Sequence, residues 1–241
     1  MRSIAILAGG RATRFDGLDK SALLVDGRTI LDRQLAELSS LTNDVMIVAS
    51  GDARLKGSRS LESTEAGVHA EGARAFSTSA RARHERATVD APKRLRREGG
   101  QASVRVIRDI VPGCGPLGGL HAALTAALGD AVFVVACDMP YVTAAFAEYL
   151  FSLAGDAQIV VPRTERGYHP LCAVYARACL GPVAARLAHK QLALRDLVND
   201  VPVRVVTDNE IVRFGASSRL LANVNTPAEY ADLEALQGHK L

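Results

Sequence analysis

Tryptophan is absent from the chain, and aromatic side chains make up only 5% of its 241 residues. Proteins that bind single-stranded nucleic acid stack the bases on aromatic side chains, so this chain has little material for such a surface. No apolar run approaches the roughly 18 residues that a membrane-spanning helix needs. The first ten residues already reach a Gly-Gly pair, which is too early for a secretory signal peptide. We therefore expect a cytoplasmic protein that has no membrane partner.

Cysteine is scarce, and its spacing does not indicate a metal or disulfide framework. The chain has four cysteines, and no two of them form a C-x-x-C pair. This absence argues against a structural zinc site and against stapling by disulfides. We expect the thiols to be reduced and partly buried, because free cysteine behaves as a small apolar residue. The cysteines are Cys114, Cys137, Cys172 and Cys179.

The net charge is small but unevenly distributed. The whole chain has 29 basic and 26 acidic side chains, whereas residues 51–102 alone have 11 and 7. That segment has few branched apolar residues, and its densest basic run is KRLRR at residues 93–97. A long stretch without periodicity is unusual inside a compact domain. We expect a disordered basic insertion at residues 51–102, and the alternative is a contact with a partner or nucleic acid. The small overall excess of +3 does not favour a nucleic-acid partner.

The rest of the chain alternates short apolar runs with helical patterns. Strands are expected at residues 3–8, 45–49, 104–107, 132–136, 159–161, 171–175 and 203–206. Helices are expected at residues 30–38, 115–128, 144–153, 180–187, 192–198 and from a cap at Thr226 onward. Strands that alternate with helices build a mostly parallel sheet covered on both faces. The pattern predicts a single α/β domain, a three-layer sandwich.

The first apolar run ends in a glycine pair that is followed by two basic residues. Gly9 and Gly10 allow backbone N–H groups to approach a phosphate chain, and Arg14 and Lys20 can neutralise its charge. The sequence is neither a Walker loop nor G-x-G-x-x-G. By itself such a run is more often a plain turn, and its basic residues are more often ordinary surface charges.

Two carboxylates follow predicted strands directly. Asp138 comes after the most apolar run, and Asp109 comes after the run at residues 104–107. Ligands of open α/β sheets bind outside the carboxyl ends of the strands, where Asp138 can hold Mg²⁺ against phosphate oxygens. The run PGCGPLGGL that starts at Pro112 permits the close approach of a ligand or a tight helix entrance. The two aspartates and the glycine loop favour a metal–nucleotide site, although Asp138 can also be a loop residue before Pro140.

The order of five motifs resembles the molybdenum cofactor guanylyltransferase (MobA) family of the nucleotidyltransferase superfamily. The motifs cover nearly the whole chain except the insertion at residues 51–102. The family fold, a Rossmann-like parallel sheet in one domain, agrees with the pattern above. The motifs are LAGG with Arg14 and Asp19-Lys20, Asp109 followed by PGCGPLGGL, CDMP, His169-Pro170-Leu171, and Asn223-Val224-Asn225-Thr226-Pro227.

This resemblance implies transfer of GMP from GTP to molybdenum-bound molybdopterin, which gives the guanine dinucleotide cofactor and pyrophosphate. The implied nucleotide contacts are Leu7, Ala8, Gly9, Gly10, Lys20, Asp109 and Asp138. The implied catalytic residues are Lys20, Asp138 and Arg14, with Asp138 as the Mg²⁺ ligand. The implied acceptor contacts are His169, Asn223 and Asn225. The implied protein partners are the molybdenum insertase and molybdoenzyme chaperones.

Two alternatives stay open at this point. A polar residue at the end of the second strand can help to read guanine, whereas this chain has the run VAS at residues 48–50. A cytidylyltransferase that acts on the same pterin, or a sugar-phosphate nucleotidyltransferase, is therefore an alternative to a guanylyltransferase. The other alternative is a nucleotide-binding regulatory module, which would bind without releasing pyrophosphate.

Overall fold

The computed structural model describes residues 1–8, 24–25, 27–49, 62–63, 93–96, 104–109, 111, 113–224 and 229. The strands in these ranges are β1 (Arg2–Ala8), β2 (Leu24–Val25), β3 (Arg28–Thr29), β4 (Val45–Ala49), β5 (Glu62–Ser63), β6 (Lys93–Arg96), β7 (Val104–Arg108), β8 (Ala131–Ala136), β9 (Ile159–Thr164), β10 (Gly167–Tyr168), β11 (Cys172–Ala176) and β12 (Val203–Val206). The α-helices are α1 (Ile30–Leu38), α2 (Gly115–Ala126), α3 (Ala144–Ser152), α4 (Leu180–Ala188), α5 (Asp208–Ile211) and α6 (Ser217–Leu220). Short 3₁₀ helices cover Arg177–Cys179, Leu194–Asn199 and Val212–Phe214.

Four parallel strands form the centre of the sheet, in the order β8, β1, β4 and β7. In β8, β1 and β4 nearly all residues are buried, which explains the continuous apolar runs of these strands, whereas β7 is partly exposed. The predicted mostly parallel sheet is confirmed for this centre. Both flanks add strands that pair in antiparallel fashion, each with its neighbour: β11, β9 and β10 beyond β8, and β6 and β5 beyond β7. The strand β12 pairs with β9 in parallel.

Side chains of successive strand residues point to opposite faces, and each face has its own core. In β1, Ile4 and Ile6 join one apolar cluster with Leu35 of α1 and Phe146 of α3. The other face of β1 joins a second cluster with α2 and α4. Helices therefore cover both faces, as the predicted three-layer sandwich requires. Within the described ranges, every helix is too short or too polar to cross a lipid bilayer.

Residues 62–63 and 93–96 add regular structure to a segment that we predicted to be largely disordered. The strands β5 and β6 lie there, and β6 pairs with the edge of β7. Backbone pairing between strands depends little on side-chain polarity, so a basic run without apolar periodicity can still extend a sheet. The rest of the predicted insertion lies outside the described residues. The same holds for the last helix except Glu229.

The helix α2 ends two residues before the predicted residue 128. Ala127 already has an extended backbone with ψ of 138°, and Leu128 is 60% exposed rather than part of the core. The N–H of Leu128 donates to Asp44 Oδ2 at 2.8 Å, and the N–H of Gly129 donates to Ser3 Oγ at 2.8 Å. A Cβ on Gly129 would lie 2.5 Å from the carbonyl oxygen of Met1. The chain therefore leaves the helix to pass close to the start of β1.

Candidate active site

The carboxyl ends of the four parallel strands form one edge of the sheet. The strand β1 ends at Leu7 and Ala8, and the N–H of Cys137 donates to the carbonyl of Leu7 at 3.1 Å. On the other side, the N–H of Asp109 donates to the carbonyl of Ala49 at 3.0 Å. The residues that follow β8 and β7 are thus tied to the ends of their neighbours. This places Asp138 and Asp109 on the same edge, one on each side of β1.

The two carboxylates are too far apart to serve one metal ion together. The strands β8 and β7 are separated by β1 and β4, so three inter-strand steps correspond to about 14 Å. The two side chains therefore lie at separate positions along this edge. The first sequence motif begins where β1 ends, between the two aspartates.

The turn after β8 carries Asp138, which is half-buried. The N–H of Met139 donates to the carbonyl of Ala136 at 3.3 Å, and the carbonyl of Asp138 accepts from the N–H of Val224 at 2.8 Å. The side chain of Gln34 reaches the same turn from α1: its Nε2 donates to the carbonyl of Ala136 at 2.7 Å and to that of Met139 at 2.9 Å. The turn is therefore held from outside as well as by its own backbone.

Asp109 lies at the entrance of α2. Its Oδ1 accepts from the N–H of Val111 at 3.0 Å. Burial raises the pKa of the Asp109 carboxyl, while the Val111 hydrogen bond and the nearby imidazole of His121 oppose that shift. A Cβ on Gly118 would lie 2.9 Å from both carboxylate oxygens and 3.1 Å from the carbonyl of Val111. Gly118 thus makes the space in which the Asp109 carboxylate lies.

The glycine loop before α2 has two residues in the left-handed region. Gly113 and Gly115 have φ of 83° and 59°, conformations that side chains disfavour. Inside the helix, a Cβ on Gly119 would lie 3.4 Å from two methyl groups of Leu7. The glycines therefore serve a tight entrance and the close packing of α2 on the end of β1. Whether they also approach a ligand stays a prediction.

His169 and Asn223 reach the same edge from other parts of the chain. The N–H of Ala136 donates to the carbonyl of Leu171 at 2.9 Å, which puts the segment from His169 beside the end of β8. The Nε2 atom of His169 is 2.8 Å from Thr164 Oγ1. Burial lowers the pKa of His169, Arg166 lowers it further, and Asp208 opposes the shift. Its hydrogen bond and its half-buried position also suit a purely structural residue.

The side chain of Asn223 is exposed, next to Val224, whose N–H contacts Asp138. A small buried cluster packs this segment against the residues after the Asp138 turn, against β2 and against the start of α1; it consists of Val25, Ile30, Tyr141, Ala222 and Val224. The structure thus brings Asn223 to the edge that carries Asp138. Five of the predicted site residues, Gly9, Gly10, Arg14, Lys20 and Asn225, lie outside the described residues.

Sequence reasoning missed Gln34 and the spatial role of Gly118. A signal for Gln34 existed, because it falls on the apolar face of α1 with Leu31, Leu35 and Leu38. A polar residue at such a position has to find polar partners. The contact between Gly118 and Asp109 had no sequence signal beyond the glycine pair itself.

The donor set fits a cation that arrives with phosphate. Among the described residues, no group of three or more His, Cys, Asp or Glu side chains could hold a metal ion. Mg²⁺ is commonly bound through one or two carboxylates plus substrate phosphates, and it keeps several waters. The half-buried carboxylate of Asp138 at the end of β8 is a donor of this kind.

These features define an open Rossmann-like α/β protein whose candidate site lies at the carboxyl edge of the sheet. The family model described as "MobA-like NTP transferase domain" matches residues 4–205. The chain belongs to this family of nucleotidyltransferases, which confirms the resemblance carried by the sequence motifs.

Individual relatives are similar to this chain over most of their length. A probable molybdenum cofactor guanylyltransferase from Methanothermobacter thermautotrophicus is 30% identical and covers 94% of this chain and 96% of its own. A molybdenum cofactor guanylyltransferase from Desulfosudis oleivorans is 26% identical, with 95% and 93% covered. The crystal structure of molybdopterin-guanine dinucleotide biosynthesis protein A from Archaeoglobus fulgidus superposes with a TM-score of 0.67 at 19% identity, with 99% of each chain covered. Rv0371c from Mycobacterium tuberculosis, whose complex with manganese is known, has the same fold at 16% identity, with 96% of each chain covered and a TM-score of 0.50.

Proposed function

We propose that this chain transfers GMP from GTP to molybdenum-bound molybdopterin and releases pyrophosphate. The observation that carries the proposal is the junction at Asp138. Its turn is bonded to the end of β1 through Cys137 and to the Asn223 segment through Val224. The turn predicted to hold the metal thus contacts both the segment predicted to bind the nucleotide and the segment predicted to bind the acceptor. Family membership and the names of the relatives support the same reaction.

In the proposed reaction, an oxygen of the terminal phosphate of molybdopterin attacks the α-phosphorus of GTP, and the bond to the pyrophosphate oxygen breaks. The attacking phosphate is already ionised, so the site needs charge neutralisation and alignment rather than a general base. Mg²⁺ held by Asp138 would neutralise phosphate charge. Lys20 and Arg14 would add positive charge from the first motif, and Asp109 would contact the nucleotide on the far side of β1.

The test is pyrophosphate release with each of the four nucleoside triphosphates, with and without molybdopterin. We expect release with GTP only, dependent on the pterin and on Mg²⁺, with the dinucleotide product identified by mass spectrometry. Preference for CTP would assign the chain to cytidylyl transfer. Nucleotide binding without pyrophosphate release in the presence of the pterin would contradict an enzymatic function.

A second test separates the two substrates. If Asn223 faces the acceptor, Asn223→Ala should raise the KM for molybdopterin and leave the Kd for GTP unchanged. His169→Ala should behave in the same way, whereas a structural role would lower thermal stability without changing the acceptor KM. If the variants weaken the binding of GTP and of molybdopterin equally, these residues do not contact the acceptor specifically.

A further inference from the structure

The helix α1 contacts the backbone of the Asp138 turn and of the segment after it. Three of its side chains take part: Gln34 donates to the carbonyls of Ala136 and Met139, Arg33 Nε lies 3.5 Å from the carbonyl of Pro140, and Glu37 Oε1 accepts from the N–H of Ala144 at 2.8 Å. Residues 33, 34 and 37 lie close together on one side of a helix. The Arg33 contact is long for a hydrogen bond and contributes little.

Gln34 holds the turn more firmly than the turn's own backbone hydrogen bond does. The turn's own hydrogen bond, from Met139 N to Ala136 O, measures 3.3 Å, beyond the usual range for N–H donors. Nε2 of Gln34 reaches the same Ala136 oxygen at 2.7 Å and the Met139 oxygen at 2.9 Å. These two carbonyls bracket Cys137 and Asp138. Their fixation therefore limits how far the Asp138 side chain can move.

A purely structural explanation accounts poorly for glutamine at this position. Gln34 is 1% exposed, and its neighbours on the same face of α1 are Leu31, Leu35 and Leu38. Among the described residues, its Oε1 atom is buried without a hydrogen-bond partner. Buried polar atoms without partners are rare because they lose their hydration. An apolar side chain would avoid that loss but could not hold the turn.

We propose that Gln34 is a positioning residue that holds the Asp138 carboxylate where a divalent cation on the triphosphate requires it. This inference rests on the proposed role of Asp138 as metal ligand. Groups that orient a metal ligand without touching the metal commonly change metal affinity about 10- to 100-fold when they are replaced. Gln34 occupies this role from a different element, roughly a hundred residues earlier in the sequence.

The decisive variant is Gln34→Met, which keeps the side-chain length and removes the donor. The control is Leu38→Met, a change of similar size on the buried face of the same helix. The first readout is hydrogen exchange at the amides of Val224 and Met139, which donate to Asp138 and Ala136. We expect exchange at both amides to accelerate at least about tenfold in Gln34→Met, beyond any global change in unfolding, and to stay unchanged in Leu38→Met.

The second readout is Mn²⁺ binding in the presence of GTP, measured by electron paramagnetic resonance without turnover. We expect Gln34→Met to weaken Mn²⁺ binding about tenfold, with the control unchanged. Asp138→Asn serves as the reference for loss of the ligand. If Asp138→Asn weakens Mn²⁺ binding and Gln34→Met does not, the positioning role is wrong. If Asp138→Asn does not weaken Mn²⁺ binding, the proposed role of Asp138 as metal ligand is wrong. If amide exchange in Gln34→Met is unchanged, Gln34 does not hold the turn, whatever the result with Mn²⁺.

Discussion

Two aspartates lie at opposite edges of the same four parallel strands. Asp44 precedes β4 at the amino edge and is 1% exposed. It accepts hydrogen bonds from Ser3 Oγ at 2.6 Å, from the N–H of Leu128 at 2.8 Å and from the Arg105 guanidinium at 2.5 and 3.1 Å. Asp109 follows β7 at the carboxyl edge. The hydrogen bond that it accepts from described residues is the one from the Val111 N–H.

The difference separates a structural carboxylate from a candidate functional one. The charge of Asp44 is compensated inside the protein by Arg105 and by neutral donors, so the group has no remaining capacity for a ligand. At Asp109, burial raises the pKa of the carboxyl by more than the Val111 hydrogen bond and His121 lower it. A partly buried carboxylate with a raised pKa, whose described donors do not offset its burial, is suited to an arriving ligand. Four substitutions test this contrast, and three of them have a matched control substitution.

The largest expected effect is on the stability of the amino edge. Asp44→Ala leaves the guanidinium of Arg105, whose side chain is only 12% exposed, without its carboxylate. Breaking a buried ion pair by removing one partner typically costs about 3–5 kcal/mol. We expect a loss of this size in the free energy of unfolding, measured by urea denaturation, and an unchanged Kd for GTP.

The matched control at the same edge is Asp130→Ala. Asp130 pairs with the terminal amino group, and the two side chains are 86% and 57% exposed. Exposed pairs contribute about 0–1 kcal/mol, so this variant should stay close to the parent in stability. Equal losses in the two variants would show that burial is not what distinguishes Asp44.

At the carboxyl edge, Asp138→Asn should affect activity rather than folding. Loss of the proposed metal carboxylate should lower kcat at least about a hundredfold, because a metal ion supplies several kcal/mol of charge stabilisation. The free energy of unfolding should change little. The control is Asp156→Asn, an exposed aspartate in the loop before β9. If Asp138→Asn turns over nearly as fast as the parent in saturating Mg²⁺, Asp138 is not a metal ligand.

The space around Asp109 can be tested with two adjacent glycines of α2. In Gly118→Ala the new methyl group would lie 2.9 Å from both Asp109 oxygens, so the carboxylate has to move. Overpacking of this kind costs about 1–3 kcal/mol, and alanine regains about 1 kcal/mol of helix propensity. We expect a net loss of stability of up to about 2 kcal/mol and weaker GTP binding, by thermal unfolding and calorimetry.

Gly119→Ala is the control for that substitution. Its methyl group would meet the flexible end of Leu7 at 3.4 Å, a distance that a small shift accommodates. Stability should therefore change by less than about 1 kcal/mol, and GTP affinity should hold. A weaker GTP affinity in Gly119→Ala than in Gly118→Ala would contradict the role of the Asp109 position.

The parts of the fold that were predictable are those that depend on local pattern. The run VMIVA predicts β4 with its observed bounds, and the helical pattern at residues 144–153 predicts α3. This helix begins after the cap residue Thr143, whose Oγ1 accepts from the N–H of Phe146 at 3.2 Å. The placement of Asp109 and Asp138 after strands followed from the same runs. That both aspartates lie at the same edge of the sheet could be inferred, because the carboxyl ends of parallel strands meet at one edge.

The missed features depend on contacts between distant residues. Asp44 and Arg105 are 61 residues apart, and Gln34 and Ala136 are 102 apart. No periodicity within one segment encodes such pairs, and the pairing of β6 with β7 involves main-chain groups that every residue has. The predicted extension of α2 to Leu128 failed for a similar reason, since the helix ends where the backbone has to pass Met1 and Ser3.

The smallest effect, and the most direct test of the contrast, is the pH dependence of Asp109→Asn in the absence of ligand. A carboxyl group whose pKa is raised on folding stabilises the native state below its unfolded pKa, here about 3.8. That contribution is lost as the pH rises through the higher folded pKa. The asparagine carries no charge at any pH, and its Oδ1 can still accept from the N–H of Val111.

The unfolding free energies of parent and Asp109→Asn should therefore coincide below about pH 3.8, and the variant should become the more stable of the two as the pH rises from there to neutrality. Urea unfolding in a pH series measures this difference, with GTP affinity recorded in parallel and expected to fall. A variant that is more stable but binds nucleotide less well would show that the carboxyl edge keeps an unfavourable charge for its ligand. If instead the variant is less stable than the parent at neutral pH, Asp109 is compensated inside the protein as Asp44 is, and the contrast between the two edges fails.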